Sequence, residues 1–248
     1  MPAALETRDL TVQFSGLTAV DDVSLTVESG ELRVLLGANG AGKTTLMDLV
    51  SGKIKSTGGR VFIDGVDVTN WEEYRIARIG VGRKFQIPSV FRELTVGQNL
   101  AIASCESVAI SSNLGFGLSR KQYRHIDETL ELVGLSAASN RTAGNLSHGE
   151  RQWLELGIVI IQNPKVLLLD EPTAGMTQAE THKTAEIIKQ LRGRYTIVVV
   201  EHDMAFIREI AERITVMHLG HVLAEGDIAA IENNPEVRAA YLGNNGIQ

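Results

Sequence analysis

Gly37, Ala38, Asn39, Gly40, Ala41, Gly42, Lys43 and Thr44 follow one another in the order G-x-x-x-x-G-K-T. That spacing suits the cradling of a nucleotide's phosphates. The glycines let consecutive backbone N–H groups converge on one concavity. A helix opening at Thr44 and Thr45 adds free N–H groups and the positive end of its dipole. Lys43 would reach the β- and γ-phosphates, and the Thr44 hydroxyl would hold Mg²⁺. We expect the Lys43 side chain to face solvent and to pair with phosphate alone.

Such a loop is shared by kinases, GTPases and many ATPases, and four further segments select among them. Val166-Leu-Leu-Leu169 runs into Asp170 and Glu171. A buried strand ending in two carboxylates puts them at the sheet edge where ligands bind in open α/β folds. Asp170 would support Mg²⁺ through water, and Glu171 would polarise an attacking water; a solvated turn is the competing explanation. Leu146-Ser147-His148-Gly149-Glu150-Arg151-Gln152 stands directly before a helical run. Ser147 and Glu150 have the spacing of a capping box. The same helix start could also bind the γ-phosphate of a nucleotide held by another subunit. His202 follows the apolar run 198–200, where a γ-phosphate sensor would sit. Gln86, within Arg83-Lys84-Phe85-Gln86-Ile87-Pro88, would join the active site to a helical region.

These residues need elements to carry them. Residues 5–14 and 20–27 alternate as strands, with turn signals at Ser15-Gly16 and Ser29-Gly30. Residues 32–36, 166–169 and 196–200 read as apolar strands buried on both faces, and 60–65 as a strand ending in a turn. Helical patterns at 179–191 and 204–211 separate the core strands. Alternating β and α with apolar strands predicts an α/β fold with a mostly parallel sheet covered on both faces. The early strand pair predicts an antiparallel β-subdomain beside it. Residues 94–162 contain no core strand and show helical spacing at 96–103, 120–133 and 150–161. They read as an α-helical subdomain inserted in the core, with 111–117 as a loop. The tail, 227–248, reads as short helices within the same single domain.

Taken in this order, the segments resemble the ATP-binding cassette (ABC) family of transporter ATPases across the whole chain. The resemblance makes 37–44 the Walker A loop of a P-loop NTPase core, 166–170 Walker B and 146–152 the signature motif. Gln86 matches the Q-loop, Ala174-Gly-Met-Thr177 the D-loop and His202 the H-loop. Phe14 matches the aromatic that stacks on adenine, an ordinary strand aromatic being the other reading. The implied cofactors are ATP and Mg²⁺. Glu171, His202, Gln86 and Lys43 would be catalytic, and Thr44, Gln86 and Asp170 would serve the metal. Phe14, residues 37–45 and Ser147, His148, Gly149 and Glu150 would contact nucleotide.

Within the family, Gly82-Arg-Lys-Phe-Gln86, Leu-Ser-His-Gly-Glu150 and the ending Asn-Pro-Glu-Val-Arg-Ala-Ala-Tyr-Leu-Gly243 are similar to importer ATPases for urea and for branched-chain amino acids. Gly-Arg-Lys-Phe-Gln and Ala-Gly-Met-Thr lean toward urea. The implied partners are membrane-spanning permease subunits, a second ATPase subunit packed head to tail, and indirectly a solute-binding protein. The implied location is the cytoplasmic face of the membrane. Three residues depart from the usual pattern. His148 and Glu150 stand where glycine and glutamine are usual, and Thr177 stands where aspartate is usual. A charge at Glu150 would repel phosphate unless it turned into the helix cap.

Composition narrows the field further. The 248 residues carry a net charge of −6 with no long basic run, which argues against nucleic acid as partner. No apolar run is long enough to cross a bilayer, and the start Met-Pro-Ala-Ala-Leu-Glu lacks a charged-then-apolar signal. The single cysteine, Cys105, excludes an internal disulfide. A soluble cassette ATPase acting on DNA would carry a long coiled coil between Gln86 and Ser147, and this segment is short and lacks heptads. The ribosomal type carries two cassettes per chain. A kinase accounts for the phosphate loop but not for Ser147-His-Gly149 or His202.

Overall fold

The computed structural model describes residues 3–84, 90–105 and 118–242. The chain opens with a hairpin of two long strands, β1 (Ala3–Phe14) and β2 (Leu17–Glu28). They are joined by Ser15 and Gly16, both at positive φ, the backbone of a two-residue turn that matches strand twist. After β3 (Leu32–Leu36) the phosphate-loop residues lead into α1 (Lys43–Val50). Next come β4 (Gly58–Ile63), β5 (Val66–Asp67), the short α2 (Glu73–Arg78) and β6 (Val81–Lys84). Helices α3 (Val96–Ala103), α4 (Arg120–Leu132) and α5 (His148–Ile160) follow, with no strand among the described residues between them. The core resumes with β7 (Val166–Asp170), α6 (Gln178–Leu191), β8 (Thr196–Val200) and α7 (Met204–Ile210). It ends with the hairpin β9 (Arg213–His218) and β10 (His221–Gly226), then α8 (Ile228–Asn233) and α9 (Pro235–Val237).

The strands form two sheets, ordered β2-β1-β4-β5 and β10-β9-β3-β8-β7-β6. The first is antiparallel. In the second, β9, β3, β8 and β7 run parallel, and β10 is antiparallel at the edge. Register places Leu35 and Asp170 both opposite Val200, on the two sides of β8. The ends of three consecutive strands therefore deliver the phosphate loop, the Asp170-Glu171 pair and the Glu201-His202 pair to one edge. One apolar core unites both sheets with α1, from Leu10 and Val23 through Leu46 and Met47 to Leu168 and Val198.

β3 is buried on both faces, as expected, but it is not apolar throughout. Arg33 lies fully buried within it. Its guanidinium is paired with Glu31 and Glu225, each at 2.6 Å, and also donates to Thr215 and to the Thr26 carbonyl. A buried charge is tolerated when its donors are spoken for. The β9–β10 hairpin and α2 have no counterpart in the sequence reading.

Two compact units are present. One comprises Met1–Arg83, Lys165–Pro172 and Leu191–Gln248, and so holds the phosphate loop, Asp170, Glu171 and His202. The other comprises Lys84–Pro164 and Thr173–Gln190, and so holds Ser147, His148, Gly149 and Glu150. In the second unit, α3, α4 and α5 each begin with a reciprocal capping box: Thr95 with Gln98, Ser119 with Gln122, Ser147 with Glu150. Two orphan donors are satisfied at each start, so these helices begin at defined residues. Thr95→Ala is expected to lower unfolding free energy by about 0.5–2 kcal/mol, read as a shifted urea midpoint with unchanged slope.

Candidate nucleotide site

Residues 37–42 form the turn between β3 and α1. Ala38, Asn39 and Gly40 are exposed, while Gly37, Ala41 and Gly42 are buried beneath them. Gly42 is the N-cap of α1 at φ 100, and a Cβ there would lie 2.5 Å from the Ala19 carbonyl oxygen. Only glycine fits both the conformation and the space. No side chain caps the helix, which leaves the first-turn N–H groups available to an anion. Thr44 is exposed and Thr45 half-buried at this start.

Lys43 corrects the sequence expectation. It is buried, and its Nζ donates to the carbonyls of Gly37 at 2.6 Å and Ala38 at 3.0 Å. The loop curls around its own lysine, because a buried ammonium needs acceptors and the nearest are the loop's backbone oxygens. Burial pushes the Lys43 pKa down, opposed by Glu171 and then Asp170.

Asp170 ends β7 almost completely buried. Burial raises its pKa, the Arg83 guanidinium 3.8 Å away opposes the rise, and Glu171 adds to it. Both Asp170 carboxylate oxygens are buried without a close hydrogen-bond partner among the described residues, with the Thr44 hydroxyl as the neighbour that lowers the Asp170 pKa by hydrogen bonding. Orphaned buried oxygens of this kind call for a missing partner. A hydrated cation shared with the exposed Thr44 hydroxyl meets the need, so the residues fit Mg²⁺.

Glu171 adopts φ 45, a left-handed conformation that costs a non-glycine residue energy. Its N–H donates to the Val200 carbonyl at 3.0 Å, which anchors the bend. The bend brings Glu171 Oε1 to 3.5 Å from Nδ1 of the exposed His202. Buried Glu201 accepts from the His202 backbone N–H at 3.1 Å. Glu171 and His202, 31 positions apart in sequence, thus face one another at the strand ends. Phe14 is 46% exposed at the tip of the β1–β2 hairpin, with Leu17 opposite it. An aromatic left open to water at a hairpin tip is available for base stacking. Phe14→Ala is expected to weaken ATP and GTP alike by about 1–3 kcal/mol, since stacking reads a π-face and not a base edge. Fluorescent-nucleotide titration measures this, and unchanged affinities would leave Phe14 as a strand residue only. Gln86 lies outside the described residues.

In the second unit Ser147 caps α5, accepting from the Glu150 N–H at 3.1 Å. The Glu150 carboxylate turns back into the cap, accepting from the Ser147 N–H at 2.8 Å. It also forms a two-pronged pair with Arg141 at 2.7 and 3.2 Å. Burial works to raise its pKa, but the Ser147 N–H and Arg141 together hold it below the usual glutamate value. The acidic departure at 150 is thus neutralised within the cap. His148 Nε2 lies 3.0 Å from the Ala174 carbonyl and ties the signature to residues 174–177. Gly149 is buried against Glu180, and a Cβ there would meet the Glu180 carboxylate. Glu180 in turn accepts from the Thr177 N–H and hydroxyl, each at 2.9 Å.

Sequence reasoning assigned no role to Arg83, Glu201, Arg141 or Glu180. For Glu180 a signal was present, since Thr177 and Glu180 have capping-box spacing. The others depend on contacts between elements far apart in the chain.

Residues 20–174 match the family model described as ABC transporter, and residues 221–246 match one described as branched-chain amino acid ATP-binding cassette transporter. The chain belongs to the ABC transporter family. It is an ATP-binding, ATP-hydrolysing subunit of an ABC transporter. Among its relatives is the high-affinity branched-chain amino acid transport ATP-binding protein BraF of Pseudomonas aeruginosa, 36% identical with 96% of this chain and 97% of the relative covered. LivG of Escherichia coli, described in the same words, is 38% identical with the same coverage. A crystal structure of the ADP conformation of an ATP-binding cassette of an ABC transporter is 29% identical, with a TM-score of 0.84 over 98% of this chain and all of that one. In this ABC subunit no helix among the described residues is long and apolar enough to cross a membrane.

Proposed function

We propose that this ABC subunit powers a solute importer for branched-chain amino acids, working as one of two ATPase subunits beneath membrane-spanning permeases on the cytoplasmic face. The observation that carries the ATPase part is the meeting of phosphate loop, Asp170, Glu171 and His202 at one sheet edge. The full-length relatives named for branched-chain amino acid transport support the solute. Urea, to which the sequence leaned, is the second reading. It is favoured by Gly82-Arg-Lys-Phe-Gln86 and by Ala174-Gly-Met-Thr177.

The phosphate loop binds the β- and γ-phosphates through backbone N–H groups, and Lys43 trades its loop carbonyls for phosphate oxygens. Thr44 and Asp170 would hold Mg²⁺, with Gln86 completing the set, and the ion supplies charge neutralisation on the phosphates. Glu171 accepts the proton of the attacking water, and His202 holds Glu171 and contacts the γ-phosphate. Ser147, His148 and Gly149, with Glu150 held in the cap, serve the γ-phosphate of the nucleotide on the partner subunit. Neither chain completes a site alone. ATP closes the pair and hydrolysis opens it, moving the permeases and releasing solute delivered by a binding protein.

The test is purification of the chain from its native membrane followed by ATPase assay in vesicles. Co-purifying permeases and stimulation by leucine-loaded binding protein are expected. Stimulation by urea instead would establish the second reading. A phosphorylated small-molecule product, or co-purified nucleic acid without permeases, would overturn the transporter role.

A further inference from the structure

Arg83 stands at the centre of a buried charge cluster behind the phosphate loop. It lies on β6, next to β7, with its side chain 5% exposed. One guanidinium nitrogen is 2.5 Å from Asp48 and 3.8 Å from Asp170, and the other donates to the Ser51 hydroxyl at 2.8 Å. Asp48 belongs to α1, the helix that opens with Lys43 and Thr44, and Ser51 follows its last residue. Asp170 belongs to the end of β7. One planar, permanently charged group therefore links the helix carrying the metal's hydroxyl to the strand carrying the metal's carboxylate. Only Arg has the rigid fork needed to serve several acceptors at once.

We propose that Arg83 is a positioning residue for the Mg²⁺ site, fixing Asp170 relative to Thr44 by clamping the end of β7 to the far end of α1. Arg83 touches neither nucleotide nor metal in this role. It acts through Asp170, whose carboxylate has the Arg83 guanidinium at 3.8 Å and the Thr44 hydroxyl as its polar neighbours. Asp48 and Ser51 absorb the strong end of the clamp. The longer contact leaves the buried Asp170 oxygens without a close partner of their own. The inference rests on the assignment of Asp170 to the metal.

The experiment titrates Mg²⁺ against Arg83→Met, Arg83→Lys and Asp170→Asn, reading fluorescent-ATP binding with and without metal and Mn²⁺ electron paramagnetic resonance on the ATP complex. Residues that orient a metal ligand typically change metal affinity by about 10–100-fold when replaced. Arg83→Met is expected to raise half-saturating Mg²⁺ by about tenfold or more, while metal-free ATP affinity stays within about twofold. Arg83→Lys, which keeps the charge but loses the fork, should fall between the two. A merely structural role would lower thermal stability and leave metal half-saturation unmoved. Removing Arg83 leaves the half-buried Asp48 with Lys53 as its ion-pair partner, so Arg83→Met/Asp48→Asn provides a variant that also removes that carboxylate charge. Wild-type Mg²⁺ half-saturation in the folded Arg83→Met or double variant, with Asp170→Asn shifted, overturns the proposal. An unshifted Asp170→Asn instead removes Asp170 from the metal site, and the proposal falls with it.

Discussion

Glu171→Gln is expected to cut ATP turnover by about 10²–10⁴-fold, the range for losing a general base, while ATP binding is kept. The amide fills the same volume and leaves the backbone bond from Glu171 N–H to Val200 in place, so the strained bend should survive. What disappears is the ability to accept a proton, together with a negative charge facing the γ-phosphate. Less repulsion should leave the variant loaded with ATP and accumulating as a dimer on a sizing column. Single-turnover hydrolysis and nucleotide titration separate the two effects. A variant that binds ATP and hydrolyses it at the normal rate would exclude Glu171 as the base.

Lys43→Ala is expected to weaken Mg·ATP binding by about 10–100-fold or more, the equivalent of one or more charge-assisted hydrogen bonds. The structure changes how this variant is interpreted. Because Lys43 donates to Gly37 and Ala38, its removal also frees two carbonyls of the loop. A modest drop in thermal stability should therefore accompany the loss of affinity. Calorimetric titration alongside a melting curve resolves them. Full Mg·ATP affinity in the folded variant would show that the lysine never leaves the loop carbonyls for phosphate.

The core strands were legible because burial on both faces leaves a plain apolar run, as at Val166–Asp170 and Thr196–Val200. Helices in the second unit were legible from their helical spacing, and for α5 also from the Ser147–Glu150 capping-box spacing. The β9–β10 hairpin was not, since β10 is only half-buried at a sheet edge and lacks a clear alternation. In the candidate site, motif spacing picked out residues 37–44, Asp170, Glu171 and His202, which the strand order brings to one sheet edge. It did not show the ammonium of Lys43 folded inward, because backbone carbonyls leave no trace in a residue pattern. Nor did it show Arg83, whose partners Asp48 and Asp170 are brought to it by sheet order. Glu150 read as a hazard to phosphate, and its pairing with Arg141 became visible only once the turn before α5 was in place.

The central claim is that one chain's phosphate loop and Glu171 act with another chain's Ser147. Ser147→Arg places bulk at an exposed helix start and should silence the partner's site, while Glu171→Gln silences its own. Each variant alone is expected to be inactive. Mixed dimers would carry both lesions in one site and neither in the other, so the measurement is ATPase activity after mixing the two folded variants. Partial recovery is the result this account predicts. No recovery from demonstrated mixed dimers, or full activity of Ser147→Arg alone, would contradict it.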